Sequence, residues 1–240
     1  MSEKVQREFF ERLAGRYDSR FCRSSWPRNQ RLKAEKVTEV LGAAVRQGPV
    51  IEIGCGTGQI AAELLAANPG LRYIGADLSP GMLDIARGRL AAYRDRVELH
   101  VAERNEVPSS DGPYVAAFGI DVLHHVENPP KLLRNLCLAL RPGAPVVFLE
   151  ANPIFPITTV MGLVQKEERG VFNMRPKILA PWFRDAGFEN VDVSLGTVYT
   201  PPGPAAVSGA LDRIDDFLAK VPLVRNLALY FTAQGRAPAA

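Results

Sequence analysis

The chain is short of several things that would mark a particular class of protein. Its 240 residues include three cysteines, Cys22, Cys55 and Cys137. An odd number at wide spacing fits neither a disulfide framework nor a zinc site. The expectation is a reduced, cytoplasmic chain with no metal ligand set. An excess of one charge is also missing. The net charge is +3 and no block of Lys and Arg stands out, which argues against a nucleic-acid partner. No apolar run reaches membrane-spanning length. The best candidate, 146–164, is interrupted by Glu150, Asn152 and two prolines, so no stable membrane insertion is expected. The opening Met1-Ser2-Glu3-Lys4 is charged, unlike a signal peptide, and no internal repeat is present. What remains is ordinary for a globular chain: 47% hydrophobic and 23% charged, with length for one α/β domain and a substantial core.

The chain is organised around Val50-Ile51-Glu52-Ile53-Gly54-Cys55-Gly56-Thr57-Gly58-Gln59. A short β-branched run meets three glycines at alternate positions. An amphipathic stretch follows, with Ile60, Leu64 and Ala67 on one face. The pattern predicts buried strand, tight turn and helix. Glycine allows the sharp turn and a close approach of ligand to backbone. Dinucleotide enzymes use G-x-G-x-x-G at such a turn. Here Gln59 stands where their third glycine would be, and the acidic Glu52 precedes the first. The pattern E-x-G-x-G-x-G resembles motif I of the class I S-adenosylmethionine (SAM) methyltransferases. That resemblance implies SAM as cofactor, with Glu52, Gly54, Cys55, Gly56 and Gly58 around it. The small Cys55 fits the turn and is given no catalytic role.

Further features fall at the ends of predicted strands. Arg72–Asp77 reads as the second strand, and Asp77 lies about twenty residues past the glycine turn, where a ribose-binding carboxylate is expected. Ser79-Pro80 supplies an N-cap and a proline at the first helical position. In the resembled family the residues matching Leu78 and Met82 lie by the cofactor, Met82 on the adenine. After the strand 96–101, Glu103 stands where the family has an Asp that accepts from the adenine amino group, with Arg104 beside it. Tyr114–Phe118 reads as the fourth strand, running on to Gly119, Ile120 and Asp121. Val122-Leu123-His124-His125-Val126 then resembles the family's segment after that strand. The helix 129–140 carries Leu132, Leu136 and Leu140, and Val146–Glu150 is a fifth, fully buried strand. Alternation of this kind predicts an α/β, doubly wound, mostly parallel sheet. The resemblance extends it to seven strands, helices on both faces and an antiparallel terminal strand, in a Rossmann-like methyltransferase fold. The last strand is expected at Leu227–Ala233, paired with Val191–Leu195, with a helix at 211–221 between them.

Residues 1–30 are polar with scattered aromatics, including Phe9, Phe10, Tyr17 and Trp26. Phe9–Asp18 resembles the F-x-x-x-A-x-x-Y-D segment of small-molecule methyltransferases, implying a helical cap over the active site at 1–30 and a SAM-binding domain at 31–240. Insertions at about 151–175 and 201–222 are expected to cover substrate, and 201–222 could instead form a homodimer contact. The acceptor is expected to be small and largely apolar, as in quinone, polyketide or terpenoid intermediates. Its nucleophile is O, N or C. Candidates for catalysis are His124, His125, Asp121, Glu150 and Tyr17. Histidine suits a general base near neutral pH. Two adjacent histidines on a helix would point apart, so one at most should face the pocket. Glu150, at a strand tip, could orient the acceptor, and Tyr17 could help close the site. Two other readings are a methyltransferase for a lipid or glycan precursor at a membrane surface, and a non-catalytic SAM-binding scaffold.

Overall fold

A computed structural model describes residues 2–21, 27–103, 105–109, 112–196, 198–200 and 205–239. Cys22, Trp26, Arg104 and the proline-rich stretch 201–204 lie outside the described residues. Seven strands form one sheet: β1 (Pro49–Ile53), β2 (Arg72–Asp77), β3 (Val97–Val101), β4 (Ala116–Ile120), β5 (Pro145–Ala151), β6 (Glu189–Leu195) and β7 (Tyr230–Arg236). Their order is β3-β2-β1-β4-β5-β7-β6. The first five strands run parallel, and β7 is antiparallel to both β5 and β6.

Strand alternation divides the core. Val50 of β1, Tyr73 of β2, Phe118 of β4 and Val147 of β5 face one side. There they meet α2 (Pro27–Leu41), α3 (Gln59–Ala67) and α4 (Pro80–Arg89) through Val37, Leu41, Leu64, Leu65 and Leu83. Ile51, Ile74, Ala117 and Phe148 face the other side, against Leu132 and Leu136 of α5 (Pro129–Ala139) and Leu179 and Phe183 of α7 (Pro176–Asp185). Both faces being covered explains why β1 and β5 read as continuous apolar runs.

Several boundaries differ from the sequence expectation. α1 spans Glu3–Phe21, longer than the aromatic segment suggested. The second helix starts at Pro27, inside the span expected to belong to the cap, and a 3-10 turn, Gly42–Arg46, follows it. Ala67 is exposed, and Leu65 takes its place in the core. β4 begins at Ala116 because Tyr114 makes an isolated bridge to Leu140 instead. The last strand runs Tyr230–Arg236, three residues later than expected: Leu227 ends a 3-10 turn, and pairing with β5 runs from Ala151 opposite Tyr230 to Pro145 opposite Arg236. The terminal helix α8 is Ser208–Leu218. The irregular stretch after β5 folds as α6 (Pro156–Val164) and a 3-10 segment, Lys166–Asn173.

Candidate active site

A cavity of about 330 Å³ opens at the carboxyl ends of the parallel strands, where β1 and β4 lead their connections to opposite sides of the sheet. This is the crevice expected to hold a ligand in a doubly wound sheet. Ile53, Gly54, Ala76, Asp77, Ile120, Asp121 and Ala151 reach it from the strand tips.

One half of the cavity is built on the glycine turn. The N–H groups of Gly54 and Cys55 both donate to the carbonyl of Ala76, at 2.8 and 3.1 Å, which ties the turn to β2. Gly54 has φ +71° and its missing Cβ would lie 2.4 Å from Val122, so no other residue fits. Gly56 has φ +51° with open space on its side-chain side. Asp77 accepts from Gly56 N at 2.8 Å and from Ser79 N at 2.9 Å. Burial raises its pKa, while those N–H groups oppose the rise. Leu78, Met82 and Glu103 also line this half. Ser79 caps α4 by accepting from Met82 N at 3.2 Å. These residues fit an adenosyl cofactor: a carboxylate with spare lone pairs and a backbone loop with room above it.

Four residues expected at the cofactor stand behind this wall. The alternation of β1 turns Glu52 into the core, where Tyr73 donates to it and burial raises its pKa to about 8. The Cys55 thiol is buried beside Gly75, and its pKa is pushed well up. Gly58 has φ +74°, caps α3 and faces Ala86 and Leu90. Gly119 is packed by the Phe148 ring, 2.4 Å from where its Cβ would be. None of the four lines the cavity.

α1 lies over the cavity and is tied down at both ends. Glu11 accepts from Ser79 Oγ and from Gly81 N, at 2.5 and 3.1 Å. Asp18 accepts from Thr57 Oγ1 and Gln59 Nε2, both at 2.8 Å, and pairs with Arg89. Arg7 pairs with Glu103 at 2.6 Å. Phe10, Leu13 and Tyr17 face inward.

The other half carries two charged clusters that the sequence reading did not assemble. Asp121, whose backbone is held at φ +50°, pairs with Lys33 of α2 at 2.6 Å. Burial would lower the Lys33 pKa, but Asp121 raises it well above its ordinary value. Lys33 also sits 4.7 Å from the Tyr230 ring, whose hydroxyl donates to Asn29 at 2.6 Å. α2 therefore places its own residues in the site. No local pattern marks Lys33, since its partners are 88 and 197 residues away.

The second cluster surrounds the two histidines. Leu123–His125 forms a 3-10 turn, so both rings line the cavity, with centroids 3.9 Å apart. The expectation that one at most would face the pocket assumed helical geometry and is corrected by this turn. Glu150 is fully buried, and its Oε1 accepts from Val122 N and Leu123 N. Its Oε2 meets His124 Nδ1 at 2.8 Å. It therefore orients His124 and does not reach the cavity, contrary to the role expected for it with the acceptor. Glu168, on the segment after α6, stands 3.4 Å from His124 Nε2 and 3.8 Å from His125 Nε2. Burial acts to lower the His124 pKa, but hydrogen bonds with Glu150 and Glu168 raise it to about 10. Burial and the neighbouring His124 charge push His125 down to about 3. His124, expected as a general base, is thus a cation between two carboxylates and a poor proton acceptor. Phe155, Ile157, Met161 and Val171 close the cavity with apolar surface.

Residues 51–146 match the family described as "Methyltransferase domain". A demethylmenaquinone methyltransferase of Symbiobacterium thermophilum is 27% identical over 157 residues, covering 64% of this chain and 61% of the relative. The chain thus spans about three-fifths of that relative's length. A ubiquinone biosynthesis O-methyltransferase of Aromatoleum aromaticum is 30% identical over 162 residues, covering 63% of this chain and 68% of the relative. A SAM-dependent methyltransferase of Thermotoga maritima shares the fold, with a TM-score of 0.66 at 19% identity over 96% of this chain and 99% of that one. The glycine turn, the acid at the tip of β2, the terminal antiparallel strand and these relatives agree, and the chain belongs to the class I SAM-dependent methyltransferases of the small-molecule type.

Proposed function

We propose that the enzyme transfers the SAM methyl group to a small, largely apolar acceptor that presents one polar group to the histidine–glutamate cluster. The observation carrying this reading is the acceptor half of the cavity. Its wall is apolar, from Phe155, Ile157, Met161, Val171 and Leu229, and its polar groups are gathered at two points. The similarity to a demethylmenaquinone methyltransferase and to a ubiquinone biosynthesis O-methyltransferase supports a quinone-like acceptor, and polyketide or terpenoid skeletons would suit the same wall.

Asp77, Gly54, Gly56, Leu78, Met82 and Glu103 would hold SAM, with Asp77 on the ribose hydroxyls, since a carboxylate can accept two hydrogen bonds at once. SAM supplies an activated methyl on a sulfonium. The protein's share is orientation and exclusion of water, where most of the effective molarity of a two-substrate reaction arises. α1 covers the site, and Tyr17 helps to close it. His125, held neutral, and Glu168 are placed to accept a hydrogen bond from the acceptor. Asp121 is neutralised by Lys33 and fixes the turn after β4.

The test is calorimetric titration with S-adenosylhomocysteine and, separately, NADH, followed by transfer from labelled SAM to a panel of quinols and phenols. Binding of S-adenosylhomocysteine alone, with label in an apolar acceptor, is the expected result. Binding of NADH alone would overturn the reading. A second reading, methylation of a lipid or glycan precursor at a membrane surface, is favoured by the outer face of α6, where Val160, Leu163 and Val164 are exposed. Among the described residues no helix is long and apolar enough to cross a membrane. Label entering vesicle lipid, with none in free quinols, would select this second reading.

A further inference from the structure

The histidine–glutamate cluster has the composition and arrangement of a metal site. One donor atom from each of His124, His125 and Glu168 lies within 4.8 Å of the other two, and all three residues line the cavity. Two of the separations are 3.4 and 3.8 Å, both from Glu168 Oε2 to an Nε2. Donors bound tetrahedrally around a common cation at ordinary zinc distances stand about 3.4 Å apart. Small rotations of the two rings would bring the set to that geometry.

Glu150 strengthens the argument. It meets the far nitrogen of His124, Nδ1, at 2.8 Å, and its other oxygen is fixed by the N–H groups of Val122 and Leu123. A carboxylate behind a histidine, with the remaining ring nitrogen aimed into a cavity, is the outer support that metal-binding histidines use. Charge agrees as well. A dication bound at His124 Nε2 would take the place of the proton that His124 carries in its absence, and with both imidazoles then neutral it would balance the carboxylates of Glu150 and Glu168 within a buried cluster. Sequence reading missed the set because Glu168 lies 43 or more residues from both histidines.

We propose that His124 Nε2, one ring nitrogen of His125 and Glu168 bind a divalent first-row transition cation whose open positions face the acceptor half of the cavity. Two imidazoles and one carboxylate favour zinc, cobalt, nickel or iron over magnesium. Resting on the methyltransferase reading above, this narrows the acceptor to one bearing a hydroxyl, held through the cation in place of direct hydrogen bonds to His125 and Glu168. Its oxygen would bind the cation as the oxyanion, releasing its proton to solvent, because a bound cation lowers the pKa of a coordinated hydroxyl.

The full chain is freed of metal with a chelator and titrated with Co²⁺, followed by visible absorption, then with Zn²⁺. Wild type is expected to take up one equivalent of Co²⁺, with bands of four- or five-coordinate cobalt that Zn²⁺ abolishes. Glu168→Gln and His125→Gln should each weaken binding at least about tenfold, and Glu150→Gln about 10- to 100-fold. Circular dichroism and thermal melting check that each variant folds. Glu168→Gln replaces a carboxylate on the segment after α6 with an amide of the same size and is the substitution least able to disturb the core. Absence of cobalt bands in wild type, or unchanged binding in folded Glu168→Gln or His125→Gln, overturns the proposal and leaves His124 as an imidazolium bridging two carboxylates. S-adenosylhomocysteine is titrated into the same metal-free and metal-loaded samples. Its binding without cobalt uptake sinks the metal site alone. Cobalt uptake without its binding sinks the methyltransferase reading and keeps the metal site.

Discussion

The two halves of the cavity are built in different ways. The cofactor half is made of backbone: a glycine turn pinned to the Ala76 carbonyl, and Asp77 holding the N–H groups of Gly56 and Ser79. The acceptor half is made of side chains brought from α2, the turn after β4, β5, the segment after α6 and β7. Its charges are gathered in two groups, Lys33 with Asp121 and His124 with Glu150 and Glu168. On the proposed assignment, the backbone cradle would hold the cofactor, while side chains gathered from distant elements can be exchanged without disturbing the turn, so this half would set substrate choice.

The sharpest way to break this comparison is Asp77→Ala. The substitution removes the acceptor expected for the ribose and frees two N–H groups at the turn. S-adenosylhomocysteine affinity should fall at least about 100-fold, on the order of 3 kcal/mol, read by calorimetry. Intact affinity would remove Asp77 from the cofactor half altogether. Lys33→Met attacks the other half. It leaves Asp121 without its cation at a backbone that already stands at φ +50°. Because the Asp121 side chain is 34% exposed, the cost should lie below that of a fully buried pair, about 2 kcal/mol in a urea melt. Turnover should fall about tenfold, with S-adenosylhomocysteine affinity within about threefold of wild type. A loss of cofactor affinity as large as that in Asp77→Ala would mean that the two halves are not separable. The double variant Lys33→Met, Asp121→Asn should recover part of the stability, since no buried charge is left unpaired.

How much could be read from the sequence follows the same division. β1, the glycine turn, Asp77 and the Ser79 cap answer to local rules: strand alternation, positive φ and helix capping each leave a mark within a few residues. The topology followed from strand–helix alternation together with the family resemblance. Glu168, Lys33 and Tyr230 carry no such mark, because what places them is contact across 43 to 201 residues of chain. Even at the legible turn, motif and pocket part company at Glu52. The acid belongs to the motif, but alternation along β1 turns it inward to Tyr73.

Glu52 therefore gives a measurement on the framework of the cofactor half rather than on binding. Its carboxyl keeps a proton up to about pH 8 in the folded chain and to 4.5 in the ordinary, unfolded setting. Unfolding releases that proton between the two values. The contribution to stability is thus fully present below pH 4.5 and is lost as the pH rises toward 8. The slope is at most about 1.4 kcal/mol per pH unit. Glu52→Gln keeps a partner for the Tyr73 hydroxyl and removes the titration. Urea melts from pH 5 to 9 should show a flatter profile in the variant, with its advantage over wild type greatest at the alkaline end. An unchanged profile would mean that Glu52 is already ionised, and that the core beneath the turn tolerates a charge.

The smallest effect is expected where the halves meet. Glu103, at the cofactor edge, is held by Arg7 of α1, with both side chains partly exposed. An ion pair of that kind contributes little, about 0.5 kcal/mol or less. Arg7→Ala should leave the melting curve nearly unchanged and S-adenosylhomocysteine affinity within about twofold of wild type. The direction of that small change is informative. If Glu103 accepts from the adenine amino group, releasing it from Arg7 should tighten binding slightly, and Glu103→Ala should weaken it. If Glu103 serves only to hold α1 in place, both substitutions should weaken binding together, by loosening the cover over the cavity. Calorimetry on the two variants side by side separates a cofactor ligand from a latch.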